Sequence, residues 1–197
     1  MKINQSEKFR CPWCLGFKEY IQYHDEEWGV PVYSDKVHFE FLVLESAQAG
    51  LSWATILKKR DGYRRAFANF DYKMVADFPD QMIEELMLDA GIVRNRLKIA
   101  SAINNARQFM EVQAQVGSFT GYIWDFVNGK PKDNQLVNMS QAMATSPESD
   151  LLAKDLKKRG FKFLGSTTIY AHMQATGLIN DHLSQCFRHH EVKRLVR

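Results

Sequence analysis

His182 and Cys186 stand four residues apart, a spacing that brings two soft ligands onto one helical face or turn and prepares half of a tetrahedral metal site. The other half is open between Cys11 with Cys14, in a Cys-x-x-Cys spacing, and Cys11 with His24. Closed by four protein ligands, such a site stabilises a fold by joining the two ends of the chain. A rearranged set drawing on His189 and His190 would instead leave a position for hydrolytic water. The three cysteines cannot all pair as disulfides, so metal binding or burial is the better expectation for them.

A second group of residues offers recognition chemistry. Trp13, Phe17, Tyr20, Tyr23, Trp28 and Tyr33 crowd the N-terminal region, with Trp53 further on. Such a cluster is either core packing or a slot whose rings stack on a purine and whose hydroxyls reach its edge. Glu45 interrupts the apolar run Phe39 to Leu44. Facing inward it needs a partner or a cationic ligand; facing outward it is an ordinary helix-surface residue. The third group is the segment from Lys157 to Thr168, which carries Gly160 and Gly165 among Lys157, Lys158, Arg159 and Lys162. It reads either as a plain αα-hairpin with Gly160 as a helix stop or as a turn whose exposed N–H groups meet a DNA phosphate.

Helices must position these groups, because alternating strand-like runs are scarce. Ser146-Pro147-Glu148 marks a helix start, Leu151, Leu152 and Leu156 follow, and Lys157 to Gly160 closes it. Ile99, Ile103, Ala106 and Met110 form one stripe of what is expected to be the longest helix, between Arg94 and Gly117. Shorter helices are expected over Lys36 to Ala49, Asp80 to Asp89, Phe119 to Val127 and Thr167 to Thr176. The polar stretch Asn128 to Ser146 reads as the loosest connection, and the two termini as the least regular part. The fold class is therefore all-α.

Composition limits the alternatives. The 197 residues suit one core with a minor subdomain. Their apolar share of 45% and charged share of 25% exclude a disordered chain. No stretch approaches the roughly 18 apolar residues of a membrane span, and Met1 to Arg10 lacks an apolar signal core, so a cytoplasmic protein is expected. The net charge of +3 is unevenly spread. Residues 151–197 carry nine basic and three acidic side chains, which suits a phosphate-facing surface as well as a solvated basic face.

Three longer runs are recognisable as such: Tyr20-Ile21-Gln22-Tyr23-His24-Asp25-Glu26-Glu27-Trp28-Gly29-Val30-Pro31, Leu44-Glu45-Ser46-Ala47-Gln48-Ala49-Gly50-Leu51-Ser52-Trp53, and Lys158-Arg159-Gly160-Phe161-Lys162-Phe163-Leu164-Gly165 followed by Asn180-Asp181-His182. In order and spacing they closely resemble the bacterial 3-methyladenine DNA glycosylase I family, from about Cys11 to Cys186. The resemblance implies a single all-α glycosylase domain over 1–197 of the helix-hairpin-helix type. Its helical core would span about 36–180, and a structural zinc, one per chain, would clamp segments 11–30 and 180–190.

It further implies zinc ligands at Cys11, His24, His182 and Cys186, and leaves the choice between His24 and Cys14 open. The base pocket maps onto Glu45 and Tyr23 as the acting residues, with Trp13, Tyr20 and Trp53 around the base. DNA contacts map onto Gly50, Leu51, Lys158, Gly160, Lys162, Gly165 and Ser166. The implied activity is hydrolysis of 3-methyladenine from alkylated double-stranded DNA by a monomer that releases the free base and leaves an abasic site. Ser166 to Gly177 holds no acid. A cationic methylated purine needs no general acid to leave, so recognition and extrusion are what remain for the protein to do. Glu45 is then expected to be ionised. The competing readings are a non-catalytic, zinc-stabilised helix-hairpin-helix DNA-binding module and a zinc hydrolase.

Overall fold

A computed structural model describes residues 8–196. Among them are ten α-helices and two strands of two residues each, so the all-α expectation holds. The helices are α1 (Lys18–Glu26), α2 (Asp35–Gln48), α3 (Trp53–Ala66), α4 (Tyr72–Ala76), α5 (Asp80–Leu88), α6 (Arg96–Val116), α7 (Phe119–Asp125), α8 (Pro147–Lys158), α9 (Ser166–Ala175) and α10 (Phe187–Lys193). Strand β1 (Lys132–Asp133) pairs in parallel with β2 (Ile179–Asn180), tying the long connection after α7 to the C-terminal region.

The longest helix, α6, begins at Asn95, whose side chain accepts from Lys98 N, and stops at Gly117. Its buried stripe contains Ile99, Ile103 and Ala106 as expected, but Met110 is exposed and Phe109 takes the inward place. The reason is the 3.6-residue period, which carries the face to Ala102, Phe109 and Val112. Phe109 stacks on Phe119 of α7 at 4.1 Å between ring centroids. Helix α8 has a reciprocal cap, Ser146 Oγ accepting from Ser149 N while Ser149 Oγ accepts from Ser146 N. Leu152 and Leu156 are buried, and Leu151 turns to solvent.

Helix α2 runs through the middle of the core, packed on α3, α6, α7 and α9. Its first residue, Asp35, accepts from Phe119 N and Thr120 N at 2.9 and 2.8 Å, which fixes α7 against its start. Arg60 of α3 is buried between Glu40 at 2.7 Å and Glu27 at 2.8 Å, so one guanidinium ties α1, α2 and α3 together. Those three helices carry Tyr23, Glu45 and Trp53. The termini are more regular than expected: helices α1 and α10 flank the Cys/His cluster.

Candidate base pocket and metal centre

Four elements bring together the Cys/His cluster. Cys11 precedes the short turn Pro12–Cys14, His24 lies on α1, His182 follows β2, and Cys186 is the N-cap of α10. All four are buried, and their ligating atoms lie within 4.8 Å of one another. Cys186 Sγ is 3.5 Å from His24 Nε2 and 3.7 Å from His182 Nδ1; Cys11 Sγ is 3.8 Å from His182 Nδ1. The outer nitrogen of each ring is occupied: His24 Nδ1 by Asp25 Oδ1 at 2.8 Å, and His182 Nε2 by the Trp28 carbonyl at 3.0 Å. Such partners fix which nitrogen faces inward, which is what a metal-ligating imidazole requires.

Gly29 keeps this approach open. It has φ +79°, and a Cβ there would stand 2.8 Å from His182 Nε2. The Cys186 thiol is held far below its ordinary range, first by hydrogen bonding with Cys11 and then by His182 and His24, while Cys11 is driven up. Two sulfurs and two imidazoles in this arrangement could hold a metal ion, and the donor set suits zinc. Cys14 is also buried, but its Sγ donates to the Cys11 carbonyl at 3.1 Å and lies outside the cluster. His189 pairs with Asp133 at 3.0 Å, and neither it nor His190 joins the four.

Beside the cluster lies an open cavity of about 210 Å³. Trp13, Tyr20, Tyr23, Glu45 and Trp53 all line it, together with Trp28 and Gln48, residues that are far apart in sequence. Trp13 spans both sites, its ring 5.1 Å from Tyr20 and 5.3 Å from His24 between centroids. Tyr23 lies 5.3 Å from Trp53, whose other neighbour, Phe41, stacks at 6.4 Å.

Glu45 faces inward and is only 5% exposed. No hydrogen bond reaches its carboxyl group among the described residues, and burial alone pushes its pKa up to about 8. The ionised Glu45 expected beside a cationic base is therefore not the form favoured in the free pocket, where burial favours the neutral acid at pH 7. Tyr23 is raised well above its usual value by burial and by Glu45, so its hydroxyl stays protonated. Trp53 Nε1 is buried without an acceptor.

Residues 49–52 connect two cavity-lining positions, Gln48 and Trp53. Gly50 has φ +78°, and Leu51 is 42% exposed, so an apolar side chain stands at this loop's surface. A residue not anticipated from sequence holds the loop. Lys98 of α6 is buried, and its Nζ donates to the Ala47 and Ala49 carbonyls at 2.8 and 2.5 Å. A cation here satisfies the end of α2 and complements its dipole.

The hairpin 159–165 joins α8 to α9. Gly160 adopts φ +92°, which favours glycine. Asn105 of α6 clamps the turn, donating to the Lys162 carbonyl at 2.9 Å and accepting from Lys162 N at 2.8 Å, and Asn104 donates to the Gly160 carbonyl at 2.9 Å. Lys158 and Lys162 are exposed. Gly165 caps α9 without a side-chain partner for the first-turn N–H groups. The Ser166 hydroxyl turns back to Asp150 and Ser149, so only its backbone N–H is left toward the hairpin face.

Fold and site together define an all-helical protein with an aromatic, carboxyl-bearing cavity next to a potential metal centre. The family model for methyladenine glycosylases matches residues 13–189, and the chain belongs to that family; it is a glycosylase, an enzyme that cleaves N-glycosyl bonds. It is 46% identical over 177 residues to DNA-3-methyladenine glycosylase 1 of Escherichia coli K12, a match covering 90% of this chain and 95% of that relative. It is 43% identical to the DNA-3-methyladenine glycosylase of Haemophilus influenzae, covering 90% and 96%. Among solved structures, the Staphylococcus aureus 3-methyladenine DNA glycosylase I, described in terms of 3-methyladenine recognition, superposes with a TM-score of 0.88 at 40% identity, covering 90% of this chain and 95% of that one.

Proposed function

We propose that the chain acts as a monomeric, single-domain cytoplasmic glycosylase that hydrolyses 3-methyladenine from alkylated double-stranded DNA, frees the base and leaves an abasic site. The observation that carries this reading is the convergence of Trp13, Tyr20, Tyr23, Glu45 and Trp53 on one cavity whose carboxyl group has no protein partner. A buried acid without a partner is costly unless a ligand supplies one.

In this reading the hairpin anchors the duplex. Lys158 and Lys162 release counterions from the backbone, and the N–H groups of Gly165 and Ser166 meet a phosphate. Gly160 permits the turn. Leu51, lifted by Gly50, occupies the gap left by the extruded nucleotide, which costs a few kcal/mol of stacking. Trp13, Tyr20 and Trp53 enclose the base, and Tyr23 hydrogen-bonds beside it. Glu45 accepts from the exocyclic amine edge. Entry of a cationic purine favours its ionised form, so its proton leaves as the base binds. Cys11, His24, His182 and Cys186 would hold one structural zinc, which supplies folding energy rather than chemistry.

The test is release of 3-methyladenine from methylated duplex DNA, followed by chromatography. Free base with abasic sites supports the proposal. Lesion binding without release would leave a non-catalytic DNA-binding module instead.

A further inference from the structure

Two carboxyl groups line the cavity, and their surroundings differ. Glu45 has no partner. Asp181 is equally buried, but Oδ2 accepts from Tyr170 Oη at 2.6 Å and from Gln174 Nε2 at 2.7 Å, and Oδ1 accepts from Asn134 Nδ2 at 2.7 Å. A carboxylate offers about four lone-pair positions, so three are filled and one on Oδ1 remains. Burial and the bond to Asp181 hold the Tyr170 phenol protonated, which keeps it a donor. Gln174 lines the same cavity, so this network forms part of the pocket wall.

We propose that Asp181 is the residue by which the pocket distinguishes a positively charged purine from a neutral one, a fixed anion in the wall beside the hydrogen-bonding edge read by Glu45. The inference rests on the reading that the cavity receives a methylated purine. Three donors from two chain segments, Asn134 before α8 and Tyr170 and Gln174 on α9, immobilise the side chain before any ligand arrives. Preorganised charge of this kind attracts a cation without reorganisation. Glu45, pushed up to about 8, cannot supply that field in the free enzyme at pH 7. The two acids thus divide the work, as paired carboxyl groups in unlike surroundings do.

The test, run at pH 8, compares two ligands of the same shape, 3,9-dimethyladeninium, a permanent cation, and 3,9-dimethyl-3-deazaadenine, an isostere whose aminopyridine-type ring is mostly uncharged at that pH. Dissociation constants are read from tryptophan fluorescence with metal content checked in parallel. The parent should prefer the cation by about tenfold or more, and Asp181→Asn should lose about tenfold for the cation while binding the isostere within about twofold of the parent. Equal losses for both ligands, or an unchanged preference, would overturn the assignment.

A parent that binds neither ligand and releases no base from DNA would defeat the reading of the pocket rather than the role of Asp181.

Discussion

The Cys/His cluster and the cavity share Trp13 as a common wall, yet they treat polar groups in opposite ways. In the cluster, both outer imidazole nitrogens have acceptors in the protein. In the cavity, Glu45 has no donor and Trp53 Nε1 has no acceptor. Glu148 Oε2, His172 Nδ1, Arg188 Nε and His189 Nδ1 are also buried without a partner, but none of them lines the cavity, where two unpaired groups meet. A set that is complete toward its own chain and open only toward its centre is built to hold the fold together. Groups left unpaired around a cavity are, in the reading proposed above, kept for the base.

Breaking the cluster should have the largest effect. Cys186→Ala or His182→Ala should release about one metal ion per chain and lower stability by several kcal/mol, read by metal analysis and thermal melting. His24→Ala should do the same, whereas Cys14→Ala should keep the metal. The reverse outcome for those two variants would reassign the fourth ligand. Damage in the cavity should appear in binding instead. Trp53→Ala should weaken free 3-methyladenine about ten- to a hundredfold by titration, with undamaged duplex bound as before.

Lys98 tests whether the loop between the cavity positions needs its anchor. Lys98→Met keeps the aliphatic stem but leaves the Ala47 and Ala49 carbonyls without their donor. Excision should fall about tenfold, with a destabilisation of about 1–3 kcal/mol in denaturant titrations. Unaltered excision would mean that residues 49–52 hold their shape without it. The smallest effect belongs to the surface. Lys162→Gln should reduce the salt dependence of DNA binding by about one unit of slope, for damaged and undamaged duplex alike. A lesion-specific loss at constant slope would remove the hairpin from the phosphate contacts.

Much of this arrangement was legible in the residues, and the exceptions have physical causes. Helix α8 could be bounded because Ser146, Pro147 and the basic end mark both termini, whereas α6 was only bracketed between Arg94 and Gly117 by its apolar stripe, and its cap at Asn95 came from the structure. The stripe of α6 drifted from Met110 to Phe109 because intervals of three and four cannot be distinguished without the neighbouring helices. Helix α3 escaped notice because its interior, Lys58-Lys59-Arg60-Asp61-Gly62, is charged and carries a glycine. Its Arg60 is buried only by pairing with Glu27 and Glu40, which lie on earlier segments.

Spacing could not choose between Cys14 and His24, since both lie near Cys11, and only the turn at Pro12–Cys14 sends Cys14 Sγ elsewhere. Nor could it show Lys98 as buried, or Asp181 as the meeting point of Asn134, Tyr170 and Gln174. Those partners converge through packing, and no local pattern marks them. Glu45 was legible as a residue out of place in an apolar run; its protonation state was not, because burial had to be known first.

The contrast between cluster and cavity is tested most directly by measuring stability and base release together for Glu45→Gln at pH 8. The folded pKa of Glu45 lies above its unfolded value, so its contribution to stability is complete below about pH 4.5 and is lost as pH rises through about 8. Replacing it by the uncharged amide should therefore stabilise the protein at pH 8, on the order of 2–4 kcal/mol, with the gain shrinking toward pH 4.5. Release of 3-methyladenine from methylated DNA should fall at least about tenfold in the same samples. Opposite changes in stability and activity are the predicted result. A variant that melts and excises like the parent, or that loses both together, would contradict the claim that Glu45 is held unpaired for the base.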